Sequence, residues 1–176
     1  MLSLGQPLEN QPILSLQTGS PVGQVLTPLI NPNNLKIEGW HAEDRFDKRK
    51  GILLSQDIRD ILPQGFVVND HEAITDPSEL IRLKDILELN FVLNGMPVYT
   101  ESKKKLGKVT DYSFEREGST IQKIYVAQSI LKSLGGGNLI IDRSQIIEIT
   151  RTRIVVKDAA VTLTDEQPAV APQFAG

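Results

Sequence analysis

The sequence predicts a mainly β protein: two small antiparallel β barrels in tandem, joined by a short helix. Three observations carry that expectation. Residues 57–70, DIRDILPQGFVVND, echo residues 145–158, QIIEITRTRIVVKD, without a gap at a constant offset of 88, and an internal repeat sets the architecture before any local reading. Ile, Leu and Val gather in short runs separated by polar turns, as strands prefer. Gly23 and Gly107 interrupt strand-like stretches, where glycine marks a bulge, a tight bend or a close backbone approach. Small barrels need such bends to close.

Residues 1–10 carry no apolar pattern and are expected to be disordered. The first unit spans residues 11–72, with strands expected near Ile13–Leu16, Gly23–Leu29, Lys36–Trp40, Gly51–Leu54, Ile58–Ile61 and Phe66–Val68. Pro32, Asn33 and Asn34 make its central turn. Residues 73–90 form the linker. There Asp76 can cap free amides, Pro77 suits a first helical position and Glu79 can complete a capping box. Leu80, Leu83 and Leu87 follow at helical spacing, flanked by Ile81 and Ile86. The pattern predicts a helix over Pro77–Glu88, too short to stand alone in water. It should pack on one barrel or between the two, or else offer a docking face.

The second unit spans residues 91–160. Val98-Tyr99 leads into a polar turn, Glu101–Lys105, and then into a long strand, Leu106–Phe114. Glu117-Gly118-Ser119 turns the chain into a strand at Ile121–Val126. A short helical turn is expected over Gln128–Leu134, stopped by Gly135-Gly136-Gly137. Leu139–Ile141 reads as a strand, and Ile146–Ile149 with Arg153–Val156 as a final hairpin. Residues 12–25 match residues 96–109 at an offset of 84, so the second unit carries four extra residues in its middle, where a surface loop absorbs them. Within that middle, Lys36-Ile37 is set over Lys123-Ile124. The tail, residues 161–176, is rich in Pro, Ala and polar side chains and is expected to be disordered.

Composition narrows the function classes. Hydrophobic residues make up 40% of the 176, enough for a real core, but aromatics are only 5%, so aliphatic side chains must fill it. The net charge of −3 argues against a dedicated nucleic-acid sheath. The absence of cysteine excludes disulfides, thiolate nucleophiles and thiolate metal sites. No apolar run is long enough for a membrane helix and no basic leader precedes one, so the expected compartment is the cytoplasm.

Catalytic patterns are missing. Gly135-Gly136-Gly137 is not followed by the GK[ST] of a phosphate loop, and no G-x-S-x-G elbow occurs. Trp40-His41-Ala42-Glu43-Asp44 supplies an imidazole and two carboxylates, but no second histidine stands at ligand spacing. No enzyme activity, cofactor or metal is therefore expected. Two basic clusters remain: Arg45, Lys48, Arg49 and Lys50, mixed with Asp44 and Asp47, and the purer Lys103, Lys104, Lys105 and Lys108. The second could meet RNA phosphates or an acidic protein face, or simply be a solvated turn that discourages edge pairing. Trp40, the only tryptophan, suits a core or an interface.

One stretch resembles a known family. Gly95-Met96-Pro97-Val98, Leu106-Gly107-Lys108-Val109 and Leu139-Ile140-Ile141 followed by Ser144-Gln145-Ile146 occur in the order of the PRC-barrel domain, over about residues 91–158. Val22-Gly23-Gln24-Val25 and Ser55-Gln56-Asp57-Ile58 are weaker counterparts in the first unit. The resemblance implies PRC-type barrels. The family includes the cytoplasmic domain of the photosynthetic reaction-centre H subunit and the C-terminal domain of the ribosome maturation factor RimM. Its shared theme is docking onto a larger assembly. The expectation is a non-enzymatic adaptor for an unidentified protein partner, with Lys103, Lys104, Lys105, Trp40 and Arg143 as candidate contacts. The alternatives are an RNA- or ribosome-associated assembly factor and a small-ligand binder, the latter needing a pocket with convergent polar groups.

Overall fold

Runs of β-branched and aliphatic residues become strands where alternate positions can be buried, and this chain does so throughout. The computed structural model describes residues 1–128 and 138–160. Seven strands precede the linker: β1 (Leu2–Leu4), β2 (Pro12–Ser15), β3 (Pro21–Asn31), β4 (Lys36–Asp44), β5 (Lys50–Leu54), β6 (Asp60–Leu62) and β7 (Gly65–Val68). The linker holds β8 (Ile74–Thr75) and a single α-helix, α1 (Lys84–Leu89). Then come β9 (Pro97–Thr100), β10 (Lys105–Glu115), β11 (Thr120–Ala127), β12 (Asn138–Asp142), β13 (Ile146–Ile149) and β14 (Ile154–Val156). The tail, residues 161–176, lies outside the described residues, as does the Gln128–Leu134 turn apart from Gln128. Gly135-Gly136-Gly137 lies outside them too.

Both halves repeat one strand order. The first runs β6-β7-β2-β3-β4-β5 and the second β13-β14-β9-β10-β11-β12. The registers agree as well: Ile13 stands opposite Phe66, and Val98 opposite Ile154. Two features correct the expectation of antiparallel barrels. The β2–β7 and β9–β14 pairs are parallel. The hydrogen-bonded runs also stay open, because β5 passes to β6, and β12 to β13, through the 3-10 turns Ser55–Asp57 and Arg143–Gln145 rather than by pairing. Trp40 opposes Leu53 as Ile124 opposes Ile141. Trp40 therefore corresponds to Ile124 and Ile37 to Ile121, which corrects the placing of Lys36-Ile37 over Lys123-Ile124. β2 and β9 align at an offset of 85, because Pro12 opposes Gln24 as Pro97 opposes Lys108, which corrects the 84 expected there. From β3 and β10 through β4 and β11 the offset is 84. It becomes 88 only at β5 and β12, so the four extra residues sit between β11 and β12.

The halves do not have separate interiors. One buried cluster contains Ile13, Trp40 and Phe66 from the first and Val98, Phe114 and Ile154 from the second. The Trp40 ring meets Phe66 edge-on at 5.1 Å and lies 6.4 Å from Phe114 across the seam. Backbone bonds close the same seam: Ile37 N–H donates to Ser119 O at 2.7 Å and Ile121 N–H to Leu35 O at 2.9 Å. Trp40 is 1% exposed, which removes it from the candidate contacts and makes it core.

Residues 1–10 are ordered rather than disordered. β9 covers β10 only over Lys105–Lys108. β1 takes the vacant edge further along, with Leu2 opposite Glu115 and Leu4 opposite Ser113. An uncovered strand edge is costly, and three residues are too few to show a period in the sequence. The linker departs from its pattern too. In place of one helix over Pro77–Glu88 there are two 3-10 turns, Pro77–Glu79 and Ile81–Leu83, and then α1. Asp76 does cap, accepting from Ser78 N–H at 2.9 Å, but Leu80 leaves helical geometry at φ −88 and ψ 61. That break lets Leu80, Leu83, Ile86 and Leu87 all pack on Leu29 and Ile52. Tertiary packing overrides the helical preference of so short a segment.

The two glycines sit at equivalent places for one reason. A Cβ on Gly23 would stand 2.7 Å from the Glu43 carbonyl oxygen, and one on Gly107 would collide with that of Ala127, the same carbonyl in the other half. Gly23→Ala and Gly107→Ala should each cost about 1–3 kcal/mol in urea unfolding. Gly118→Ala, whose Cβ would meet nothing closer than 3.5 Å, should stay within about 0.5 kcal/mol of the parent. Equal costs at all three positions would refute the close-approach reading.

Candidate functional site

Two features merit a functional reading: the lysine turn between β9 and β10, and a cavity where the halves meet. The turn is tightly held. Lys103 N–H donates to Thr100 O at 2.9 Å, and Thr100 N–H to Lys104 O at 2.9 Å. Lys103 itself takes a left-handed φ of 67. The buried Thr100 hydroxyl meets Ser102 Oγ at 2.9 Å and accepts from Lys104 N–H at 3.2 Å. Beyond β14, Asp158 clamps the turn, its Oδ1 accepting the Ser102 hydroxyl at 2.8 Å and the Ser102 N–H at 3.2 Å. Those bonds from Ser102 hold the Asp158 carboxyl below the ordinary aspartate range.

Lys103, Lys104 and Lys105 are exposed, and among the described residues none makes an ion pair. Three of the four cations in the other basic cluster are paired. Lys50 reaches Glu43 at 2.9 Å, Lys48 the same carboxylate at 3.8 Å, and Arg49 reaches Asp47 at 3.9 Å. The first half repeats the scaffold of the turn without its charge. Ser15, opposite Val68 as Thr100 is opposite Val156, is likewise buried and donates its hydroxyl to Asn69 O at 3.1 Å. The turn that follows, Leu16 to Ser20, has no charged side chain.

Arg143 begins the 3-10 turn after β12 and is half-buried. Asp142 caps that turn, accepting from Ser144 N–H at 2.9 Å, while Gln145 Oε1 accepts from Asp142 N–H at 3.0 Å. This capping box gives Ser144-Gln145 a structural purpose, and its D-x-x-Q spacing was readable in the sequence. Lys157 N–H donates to Gln145 O at 2.9 Å, which brings this turn beside the strand end that bears the lysines. Among the described residues, no hydrogen bond or ion pair joins Arg143 to them.

The cavity, of about 430 Å³, has walls from β3, β4, the start of β5 and residues 90–94 ahead of β9, with Tyr112 of β10 and Glu9 from the N-terminal segment. Its polar groups come from distant positions: Glu9, His41, Asn94 and Tyr112. Tyr112 is 1% exposed and its hydroxyl has no hydrogen-bond partner, and Asn94 Oδ1 is buried and equally alone. Burial, with the Glu9 and Asp111 carboxylates adding to it, pushes the Tyr112 hydroxyl far above its usual range. Burial raises Glu9 as well, helped by Asp111, and lowers His41. Near neutral pH the walls therefore carry a protonated phenol and an uncharged imidazole. Nothing in the sequence pointed to Glu9, Asn94 and Tyr112 as neighbours. Among the described residues no cluster of three or more His, Cys, Asp or Glu side chains could hold a metal ion, and no helix is long and apolar enough to cross a membrane.

The fold and these sites define a mainly β chain whose second half carries the strand order just described. Residues 92–163 match the family described as the PRC-barrel domain, a stretch that takes in β9 to β14. The match covers the second half; the first half is tied to it by strand order and register. No curated protein matches the chain significantly.

Because the folded pKa of Asp158 is depressed, its hold on the turn is full above the ordinary value of 3.8 and is lost as pH falls through the lower folded value. In an NMR titration the Ser102 amide should shift with a midpoint below 3.8, and Asp158→Asn should abolish that shift. A midpoint at or above the ordinary value would show that the clamp is not formed in solution.

Proposed function

We propose that the protein is a non-enzymatic interaction module, two PRC-type barrels acting as a rigid platform, and that its Lys103–Lys105 turn meets an acidic face on a protein partner. The observation that carries this reading is the contrast between the halves. The buried hydroxyl and the turn that follows it recur, but three exposed lysines appear in one copy only. A charge needed only to keep an edge soluble would serve both copies alike. The match of residues 92–163 to the PRC-barrel domain supports an interaction role. The Asp158 clamp adds to it, since a turn already held in place loses little freedom on docking. Arg143 is a secondary contact on this reading, and Trp40 has no part in it.

The test compares the intact chain with Lys103/Lys104/Lys105→Glu. The three side chains are exposed, so the variant should melt within a few degrees of the parent. Quantitative cross-linking in cell extract should recover acidic proteins with the parent and about tenfold less of them with the variant. Raising the salt towards 1 M, where the Debye length is about 3 Å, should have the same effect. Recovery of the same proteins by both chains would overturn the assignment of this surface, and salt-sensitive recovery of ribosomal particles in place of free protein would overturn the class of partner.

A further inference from the structure

We propose that β1 is a self-association surface: two copies of the chain pair their β1 strands antiparallel across a two-fold axis, so that one sheet continues from copy to copy. The inference concerns β1 rather than the lysine turn and does not rest on the docking role. Gly5 N–H donates to Tyr112 O at 2.9 Å and Arg116 N–H to Met1 O at 3.3 Å, and Ser3 stands opposite Phe114. Bonded residues alternate along an antiparallel ladder. The backbone groups of Ser3 therefore face β10, and those of Leu2 and Leu4 face the other way. Among the described residues, no strand pairs with that outer edge and no hydrogen bond reaches it. The side chains run against hydrophobic expectation. Ser3 is buried, its hydroxyl accepting from Arg116 Nε–H at 2.6 Å, while Leu2 is 51% and Leu4 45% exposed on the opposite face.

An open edge with apolar side chains invites pairing with another chain, and charge or proline on the strand prevents it. β6 and β13, which end the main path of the sheet, carry Asp60 and Glu148. In the first half, the edge of β3 that corresponds to the edge of β10 under β1 has Pro28 and Pro32 where β10 has Tyr112 and Arg116, by the offset of 84. Neither proline can donate a backbone bond. Met1-Leu2-Ser3-Leu4 has no charged side chain and no proline. The sequence of β1 also selects the occupant. Leu-Ser-Leu reads the same in both directions, so an antiparallel pair centred on Ser3 sets Leu2 of each copy opposite Leu4 of the other. Every outward N–H and C=O of Leu2 and Leu4 then finds a partner, and the leucines of both copies pack on one face. Such a contact is isologous and closes at a dimer. Its small area makes that dimer a weak one.

Analytical ultracentrifugation of the intact chain, from about 1 µM to about 1 mM, should show the mass rising from one chain to a dimer and no further, with a dissociation constant on the order of 100 µM. Leu2→Lys/Leu4→Lys sets ammonium groups side by side across the pair and should weaken association about tenfold or more. Both positions are exposed, so this variant should melt within a few degrees of the parent. The chain has no cysteine, so introduced thiols report the geometry even if the lysine variant unfolds. The Cα atoms of a bonded antiparallel pair lie about 5.5 Å apart, within reach of a disulfide. An equimolar mixture of Leu2→Cys and Leu4→Cys should therefore oxidise to a covalent dimer holding one of each, about tenfold faster than either variant joins to itself. The proposal is overturned by a one-chain mass at every concentration, by association that the lysines leave unchanged, or by either cysteine variant joining to itself as fast as the mixture reacts.

Discussion

The indole of Trp40 is the contact on which the architecture turns. It is packed between Phe66 of its own half and Phe114 of the other, so a single side chain belongs to both halves of one core. Aromatic rings are few in this sequence, and a ring of that size buries far more surface than the aliphatic residues around it. Its counterpart in the second half is Ile124, which is also buried but smaller. The repeat is therefore asymmetric at its centre, with one half extending a large anchor across the seam and the other receiving it. The backbone bonds from Ile37 and Ile121 fix the same seam from the strand side, and the halves are joined before the linker contributes anything.

The asymmetry recurs wherever the halves differ. Duplicated strands keep their register because each ladder and each buried row constrains the next. The glycines keep their places because a carbonyl of the neighbouring strand leaves no room for a Cβ. Between these fixed points the copies are free to diverge, and they do so in three places. One is the turn after β9, which gained lysines. Another is the β11–β12 connection, which gained four residues. The third is the edge of β10, which the N-terminal strand came to cover. Function on such a scaffold is expected where the copies differ, since the shared parts are accounted for by folding alone.

Much of the strand layout was legible in the sequence. Short aliphatic runs punctuated by Gly, Pro and Asn mark strands by their own chemistry, and Gly23 and Gly107 carried their meaning with them. What stayed hidden depended on partners. Alternation says that Trp40 or Phe114 is buried, not that each is buried against the other half, so the shared core looked like two. The parallel β2–β7 and β9–β14 pairs join the first and last strands of each half, a pairing that no local pattern encodes. The linker read as a helix because Leu80, Leu83 and Leu87 have helical spacing. The bend at Leu80 arises from how they pack on Leu29 and Ile52, which lie some fifty residues and thirty residues away in the chain. The lysine turn was visible as a cluster, but its clamp to Asp158 was not.

The cavity is the clearest case of a feature that exists only in the assembled chain. Glu9 arrives with the N-terminal segment, His41 with β4, Asn94 with the segment leading into β9 and Tyr112 with β10. Neither half alone encloses the space: Asn94 and Tyr112 come from the second half, and β3 and β4 of the first half complete the walls. A duplication that fused its two cores would ordinarily have been free to fill the gap with aliphatic side chains, as it did around Trp40. Leucine in place of Asn94 or phenylalanine in place of Tyr112 would remove an unsatisfied buried atom at little cost in volume. Polar atoms stand here instead, on two of the residues that line the space.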